Sequence, residues 1–161
     1  MVIKKCAEFV NIESNKMTGI PFRIIGLDHL VLRVCNIEVM INFYCDILGC
    51  IQEREVAELG LVQLRAGTSL IDLVDCAGKL GRKGGLTASS GSEGGSMDHF
   101  CLRIAGFDKE KAMKHLSSAG VRLGDFGTRY GSKGMGPSLY LYDPEENMIE
   151  LKGQSVNTDG N

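Results

Sequence analysis

The chain has 161 residues, a length that suits a single domain of ordinary size. With 43% hydrophobic and 24% charged residues, its composition is that of a globular protein, which excludes disorder as the main state. The 18 basic and 20 acidic residues give a net charge of −2 without a long run of one sign. This balance argues against nucleic acid or an anionic membrane as the main partner.

Two features of the chain bear on its cellular location. No stretch approaches the roughly 18 consecutive apolar residues of a membrane-spanning helix, and Lys and Glu interrupt the apolar residues of positions 1–16, unlike a secretion signal. The six cysteines include no C-x-x-C pair, which fits a reducing compartment. We therefore expect a cytoplasmic protein.

Comparison of the chain with itself reveals a repeat at an offset of 70 residues. Residues 28–34 and 98–104 share Asp, His, Leu and Arg at equivalent positions. A segment with helical spacing of apolar residues follows each copy and stops at a glycine, Gly49 or Gly120. Such self-similarity indicates an architecture of two related units.

Unit one, about residues 24–76, begins with a predicted strand at 28–34. Asn36 is a suitable N-cap for the helix that follows, and the unit closes with two strands joined by a turn at 66–68. The last strand carries a single central carboxylate, Asp72. The apolar stripe of the helix consists of Met40, Phe43, Tyr44 and Ile47.

Unit two, about residues 97–153, repeats this order. Asp108 can cap its helix, and the strand that follows the turn at 143–147 carries the central carboxylate Glu150. Each unit therefore has the order βαβββ, and we predict an α+β fold with two paired units.

The remaining segments match neither unit. Residues 1–22 are predicted to form an N-terminal arm, residues 77–96 a linker rich in Gly and Ser, and residues 154–161 a flexible tail. Residues 23–153 then form one domain that contains both units.

Alternation along a strand places His29 and Arg33 on one face of the first strand and the leucines between them on the other. The same pattern places His99 and Arg103 on one face of the strand at 98–104. Because the helices need an apolar face to cover, the His and Arg faces are left to line a cavity.

Two carboxylates point to the same side as the histidines. Asp72 and Glu150 each lie between an Ile and a Leu, so each alternates away from the helix-packed face. A carboxylate among aliphatic side chains is costly unless it is paired or bound to a cation. Two His with carboxylates suit Zn²⁺, Ni²⁺, Co²⁺, Mn²⁺ or Fe²⁺. We predict one divalent metal ion bound by His29, Asp72, His99 and Glu150, and a metal-free, salt-bridged cluster is the alternative.

Three motifs carry a resemblance to a known family over about residues 24–153. They are the opening D-H-L/F-x-L-R-V/I of both units, F-Y-x-x-x-L-G at 43–49, and D-P-E-x-N-x-I-E-L at 143–151. Together with the paired βαβββ units, they resemble the vicinal oxygen chelate superfamily, which includes glyoxalase I, methylmalonyl-CoA epimerase, extradiol dioxygenases, fosfomycin-resistance transferases and bleomycin-binding proteins. The resemblance implies a half-barrel sheet around a metal cavity, with ligands from the first and last strands of each unit.

The leading functional hypothesis is a metal-dependent lyase or isomerase of the glyoxalase I type. The resemblance implies a small substrate with vicinal oxygens, such as a hemithioacetal or glutathione adduct, which reacts through an enediolate. Glu150 is then the proton shuttle, with help from Asp72. Arg33 occupies the position of a glutathione-carboxylate contact in glyoxalase I, and with its counterpart Arg103 it is predicted to bind substrate.

The chain departs from the family pattern at two positions. Asp72 stands where glyoxalase I usually has Glu, and the shorter side chain reaches less far toward a metal. Glu146 stands where the family turn usually has Gly, so Asn147 is expected to adopt the positive φ of that turn.

Two alternatives come from other classes of protein. One is an Fe(II) ring-cleaving dioxygenase that uses His29, His99 and Glu150. The other is a metal-free protein that binds a drug or metabolite, as in bleomycin resistance, but such relatives generally lose the ligands and line the cavity with aromatic residues. We expect a homodimer, because each half-sheet exposes a polar face and apolar edges. The ligands can meet within one chain or across the dimer.

Overall fold

Two βαβββ units make up the computed structural model, which describes residues 20–84 and 97–155. Unit one contains β1 (His29–Val34), α1 (Ile37–Asn42), β2 (Ile51–Val56), β3 (Leu61–Ala66) and β4 (Ser69–Asp75). Unit two contains β5 (Phe100–Arg103), α2 (Lys109–Ser118), β6 (Leu123–Gly131), β7 (Gly134–Tyr142) and β8 (Met148–Lys152). The predicted α+β class and the paired units are confirmed.

The predicted arm, linker and tail lie largely outside the described residues. Only residues 20–22 of the arm, 77–84 of the linker and 154–155 of the tail are described, so these boundaries stay predictions. Within the described ranges, no helix is long and apolar enough to cross a membrane.

Each unit forms a four-stranded sheet in which its first and last strands are neighbours. The strand orders are β1-β4-β3-β2 and β5-β8-β7-β6. The pairs β1/β4 and β5/β8 are parallel, and the other neighbours are antiparallel. The strand that begins with, or directly follows, the repeated histidine therefore lies beside the strand with the central carboxylate.

The helices cover the apolar faces of the sheets, as the alternation predicts. Along β1, Leu32 and Val34 are buried whereas His29 is exposed. The buried apolar core also contains Met40, Phe43, Tyr44, Val62, Leu64, Ile71, Leu73, Leu116, Leu139, Leu141, Ile149 and Leu151. Each large aliphatic side chain buried in this way contributes about 1.5–3 kcal/mol relative to exposure.

The first helix differs from the continuous α-helix that its apolar spacing predicts. After Asn42 it widens into a π-helical turn, Phe43–Ile47, in which the Leu48 N–H donates to the Phe43 carbonyl at 3.1 Å. Phe43 and Tyr44, the first two residues of this turn, are both buried. Gly49 then ends the helix at φ 78°, as predicted.

The turn between β7 and β8 corrects one expectation. Glu146, and not Asn147, adopts the positive φ, at 67°. The reason is the Asp143 carboxylate, which accepts hydrogen bonds from the backbone N–H of Glu145 and from both the backbone and the side chain of Asn147. These bonds hold Asn147 in place and leave Glu146 as the left-handed residue, where its carboxylate pairs with Arg122.

The same turn joins unit two to the helix of unit one. Glu145 Oε1 accepts hydrogen bonds from the backbone N–H groups of Cys35 (2.7 Å) and Asn36 (2.8 Å), directly before α1. The Tyr44 hydroxyl donates to Asp143 Oδ2 at 2.9 Å inside the core. Burial raises the pKa of the Asp143 carboxyl and that of the Tyr44 hydroxyl, which stays a protonated donor. We call these contacts of Tyr44, Asp143 and Glu145 between the two units the seam.

The seam predicts a stability effect for Tyr44→Phe. Loss of the hydroxyl leaves the Asn147 side chain as the remaining donor to Asp143 Oδ2. Because the lost hydrogen bond is buried and made to a charged group, the free energy of unfolding should fall by about 1–3 kcal/mol in urea denaturation. Tyr142→Phe is the matched control, because the Tyr142 ring packs against Arg122 and its hydroxyl makes no hydrogen bond within the described part of the chain. Equal losses in the two variants would show that the seam does not depend on this hydrogen bond.

Candidate metal centre

In unit one, His29 and Asp72 lie on neighbouring strands of the first sheet. Asp72 is central in β4 and only 7% exposed. Its side-chain partner is Gln63 on β3, in register with it, whose Nε2 lies 3.1 and 3.0 Å from the two carboxylate oxygens. A neutral amide does not offset the charge of a buried carboxylate, so this position favours a cation.

Unit two repeats the arrangement with a longer acid. His99 precedes β5, and Glu150 is central in β8 and 6% exposed. Glu150 Oε2 lies 3.4 Å from His99 Nε2, and Oε1 accepts a hydrogen bond from the Ser138 hydroxyl. The Tyr140 ring contacts the His99 imidazole edge-on, with 5.1 Å between ring centroids.

Both histidines are oriented by the aspartate that precedes them. His29 Nδ1 lies 2.8 Å from Asp28 Oδ1, and His99 Nδ1 lies 2.6 Å from Asp98 Oδ2. A carboxylate at Nδ1 favours the tautomer whose Nε2 lone pair is free, which is how metal-binding histidines are usually held. The hydrogen bond to Asp28 also raises the pKa of His29.

Sequence reasoning missed the role of these aspartates, although the repeated D-H dipeptide was the signal for it. Gln63 and Ser138, which hold the central carboxylates, gave no such signal. Their contacts depend on strand register, which a single sequence does not reveal.

The four predicted ligands form two pairs, one on each sheet. Within residues 20–84 and 97–155, no group of three or more His, Cys, Asp or Glu side chains is close enough to hold a metal ion. Each pair supplies one nitrogen and one carboxylate, a donor set that suits a divalent transition metal. The residues therefore fit a metal as two half-sites, which we call half-site one (His29 and Asp72) and half-site two (His99 and Glu150).

A cavity of about 300 Å³ adjoins half-site two. Its lining includes Cys101, Arg103, Lys133, Glu150 and Lys152. Arg103 makes no hydrogen bond or ion pair within the described residues, whereas burial and the nearby Glu150 raise the pKa of the Cys101 thiol to about 11. The cavity thus presents an available guanidinium beside a candidate ligand.

Two other features are less suited to a site. Arg33, the other predicted substrate contact, donates from NH2 to the Gly81 carbonyl at 3.0 Å. A larger cavity of about 500 Å³ lies along the seam, between the first helix and the β7–β8 turn, and contains none of the predicted site residues.

Comparison with known proteins decides the family. A sequence model of the Glyoxalase/Bleomycin resistance protein/Dioxygenase superfamily matches residues 26–151, most of the chain. The chain belongs to this superfamily. Membership confirms the resemblance drawn from the D-H, F-Y and D-P-E motifs.

Solved structures of the superfamily fold agree with this assignment. An integron cassette protein from the mobile metagenome of V. cholerae is 28% identical, with a TM-score of 0.63 over 83% of this chain and 98% of that one. The fosfomycin resistance protein FosX of Listeria monocytogenes is 18% identical (TM-score 0.60, 83% and 97% covered). A lactoylglutathione lyase from Agrobacterium tumefaciens is 16% identical (TM-score 0.54, 81% and 94% covered). The last two show likeness of fold.

Proposed function

We propose that this superfamily member is a metal-dependent lyase or isomerase of the glyoxalase I type, acting on a small substrate with vicinal oxygens such as a hemithioacetal. The observation that supports this most is the duplicated half-site. Each half-site has a buried central carboxylate beside a histidine whose Nδ1 is bound to an aspartate. The ring-cleaving dioxygenase uses only three of the four ligands and gives Asp72 no cation, so the four-ligand site accounts better for that buried charge.

The complete site is proposed to lie between two copies of the chain. Half-site one of one copy would face half-site two of the other, because in the part of the chain that the structure describes no three of the four ligands come together. Exposed apolar residues next to His29 support a partner there: Val31 is 49% exposed, and in the segment before β1, Ile25 is 89% and Leu27 73% exposed.

His29, Asp72, His99 and Glu150 would hold the divalent ion, which would supply Lewis-acid polarisation of a substrate carbonyl. Glu150 is the proposed base for the proton next to that carbonyl, because Oε2 faces the half-site while Oε1 is held by Ser138. Asp72 is hydrogen-bonded through both oxygens to Gln63 and is proposed as a ligand that does not move. Arg103 would bind an anionic group of the substrate, such as a glutathione carboxylate. Arg33 would bind a second anionic group once its hydrogen bond to the Gly81 carbonyl is broken.

Metal binding is the first test of this proposal. Purified protein is expected to bind one Co²⁺ per chain in calorimetry, and His29→Ala and His99→Ala should each abolish tight binding. The matched control is His115→Ala, because this third histidine lies on α2 and contacts the Ile47 carbonyl, away from both half-sites. Absence of binding by the wild type would overturn the proposal and favour the metal-free binding protein.

Mixing the two histidine variants tests whether the site lies between copies. A dimer of one His29→Ala chain and one His99→Ala chain would have one intact site and one that lacks both histidines. Random exchange in an equal mixture should therefore restore about a quarter of the wild-type Co²⁺ sites in a two-fold dimer. If no sites are restored after denaturation and refolding together, the ligands come from one chain.

The two carboxylates are expected to differ in kinetics. Glu150→Gln should keep the fold and lower turnover by about 10²–10⁴, the usual loss for a positioned base. Asp72→Asn should mainly weaken metal affinity, so that excess metal partly restores activity. The measurement is turnover against metal concentration, with a substrate found in a screen of hemithioacetals, acyl-CoA epimers and catechols. Equal losses that excess metal rescues would show that both residues are only ligands.

The role of Arg103 is tested with charged and neutral substrates. Arg103→Met should raise KM about tenfold for a substrate with a free carboxylate, the scale of one lost ionic contact. The KM of the corresponding amide should stay unchanged, which makes the amide the internal control. An equal effect on both substrates would indicate a general disturbance of the cavity.

A further inference from the structure

Lys152, near the end of β8, carries a buried charge without a direct ionic partner. Its side chain is only 7% exposed, and it forms no ion pair within the described part of the chain. Its Nζ instead donates to the carbonyls of Arg129 (2.5 Å) and Gly136 (3.3 Å) and to Ser138 Oγ (3.3 Å). The three N–H donors of the ammonium are thus matched by three neutral acceptors.

Ser138 connects this ammonium to Glu150. The serine is fully buried on β7, in register with Lys152 and diagonal to Glu150. Because Lys152 donates to its oxygen, the hydroxyl proton is free to point at Glu150 Oε1, to which it donates. A chain of hydrogen bonds therefore runs in one direction, from the buried cation through the serine to the buried anion.

The β6–β7 hairpin leaves room for this chain. A Cβ atom at Gly131 would lie only 2.5 Å from Lys152 Cε, so any larger residue there would displace the lysine side chain. Glycine at position 131 therefore leaves space for the Lys152 side chain to reach Ser138.

Unit one contains a different chain of hydrogen bonds. Arg54 Nη1 donates to Gln63 Oε1 at 3.4 Å and Gln63 Nε2 donates to Asp72, but Arg54 is exposed. The registers of the two sheets place Leu61 and Val74 where unit two has Ser138 and Lys152. The duplication therefore provides an internal comparison, in which only the longer acid is connected to a buried cation.

We propose that Ser138 and Lys152 are positioning residues for Glu150, which hold Oε1 so that Oε2 alone is presented to His99 and to whatever half-site two binds. This inference rests on the proposed function in giving Glu150 a role in metal binding. The hydrogen bonds themselves are a property of the metal-free chain, and this allows the two ideas to be tested separately.

The first experiment measures coupling in the metal-free protein by urea denaturation. Lys152→Met and Glu150→Gln are made alone and together, in the wild type and in Ser138→Ala. In the wild type, the double variant should shift the urea midpoint less than the two single shifts combined, because the partners interact. The gap between the combined single shifts and the double shift should fall to about half or less in the Ser138→Ala background, because Ser138 connects Lys152 to Glu150. A difference that persists undiminished would overturn the proposal.

The second experiment measures Co²⁺ affinity and the d–d absorption spectrum of the Co²⁺ protein. Ser138→Ala and Lys152→Met should each weaken binding about tenfold and change the spectrum, the usual range for residues that orient a ligand. The Ser138→Ala/Lys152→Met double variant should bind Co²⁺ no more weakly than either single variant, because both residues act through Glu150 Oε1. Lys133→Met is the matched control, since it removes a positive charge from the same cavity without contact to Glu150.

The outcomes separate the two ideas. Wild-type Co²⁺ affinity and spectrum in Ser138→Ala would overturn the positioning role while leaving the metal site intact. If the wild type binds no Co²⁺, the proposed function fails, and the urea experiment alone decides whether Ser138 couples Lys152 to Glu150. Should Lys152→Met fail to fold, Ser138→Ala still decides the inference through Co²⁺ binding.

Discussion

One buried carboxylate at the centre of each sheet is the constraint on which the site depends. Asp72 and Glu150 lie on strands whose other central residues are aliphatic and buried. An ionised carboxylate in such surroundings is costly unless donors or a cation compensate it. Outside each half-site, the aspartate before the histidine lies at Nδ1 of the imidazole. A divalent cation bound by the imidazole and the buried carboxylate would add its own charge, the largest in the half-site.

The two units share an architecture but stabilise their carboxylates differently. In unit one, Gln63 binds both oxygens of Asp72, which fixes the short side chain completely. In unit two, Ser138 binds only one oxygen of Glu150 and is itself bound by Lys152. Two units with the same strand order therefore hold their acids differently: both oxygens of Asp72 are bound by Gln63, whereas Glu150 has an oxygen that Ser138 does not bind. This asymmetry is the structural basis for assigning different roles to the two acids.

Much of the fold follows from the sequence because strand alternation and repetition are local signals. The faces of β1, the burial of Leu32 and Val34, and the glycine that ends the first helix were all predictable in this way. The π-helical turn could not be predicted, because the spacing of the apolar residues indicates a helix but does not show which backbone carbonyl each N–H selects. The conformation of Glu146 was missed because it is imposed by contacts of Asp143 with its neighbours.

The strand faces on which the candidate site residues lie could be predicted from the sequence, but the arrangement of the two units could not. Alternation shows which face of its own strand a side chain occupies, and so it placed His29 with Asp72 and His99 with Glu150. It does not show how two sheets face each other, and within the described residues no three of the four predicted ligands come close enough to hold a metal ion. That relation depends on long-range contacts such as the hydrogen bonds of Glu145 to residues before α1.

The seam also explains why a second copy is a reasonable source of the missing half-site. Tyr44, Asp143 and Glu145 join the units through the first helix and the β7–β8 turn. A rearrangement that separated these two elements would break the buried Tyr44–Asp143 hydrogen bond. Meanwhile β1 and β5 are edge strands of their sheets, and an edge strand is open to approach by another chain. His29 is the first residue of β1, and His99 directly precedes β5. In the proposed function, the seam fixes the two units within one chain, and the metal site is completed by a second chain at the dimer interface.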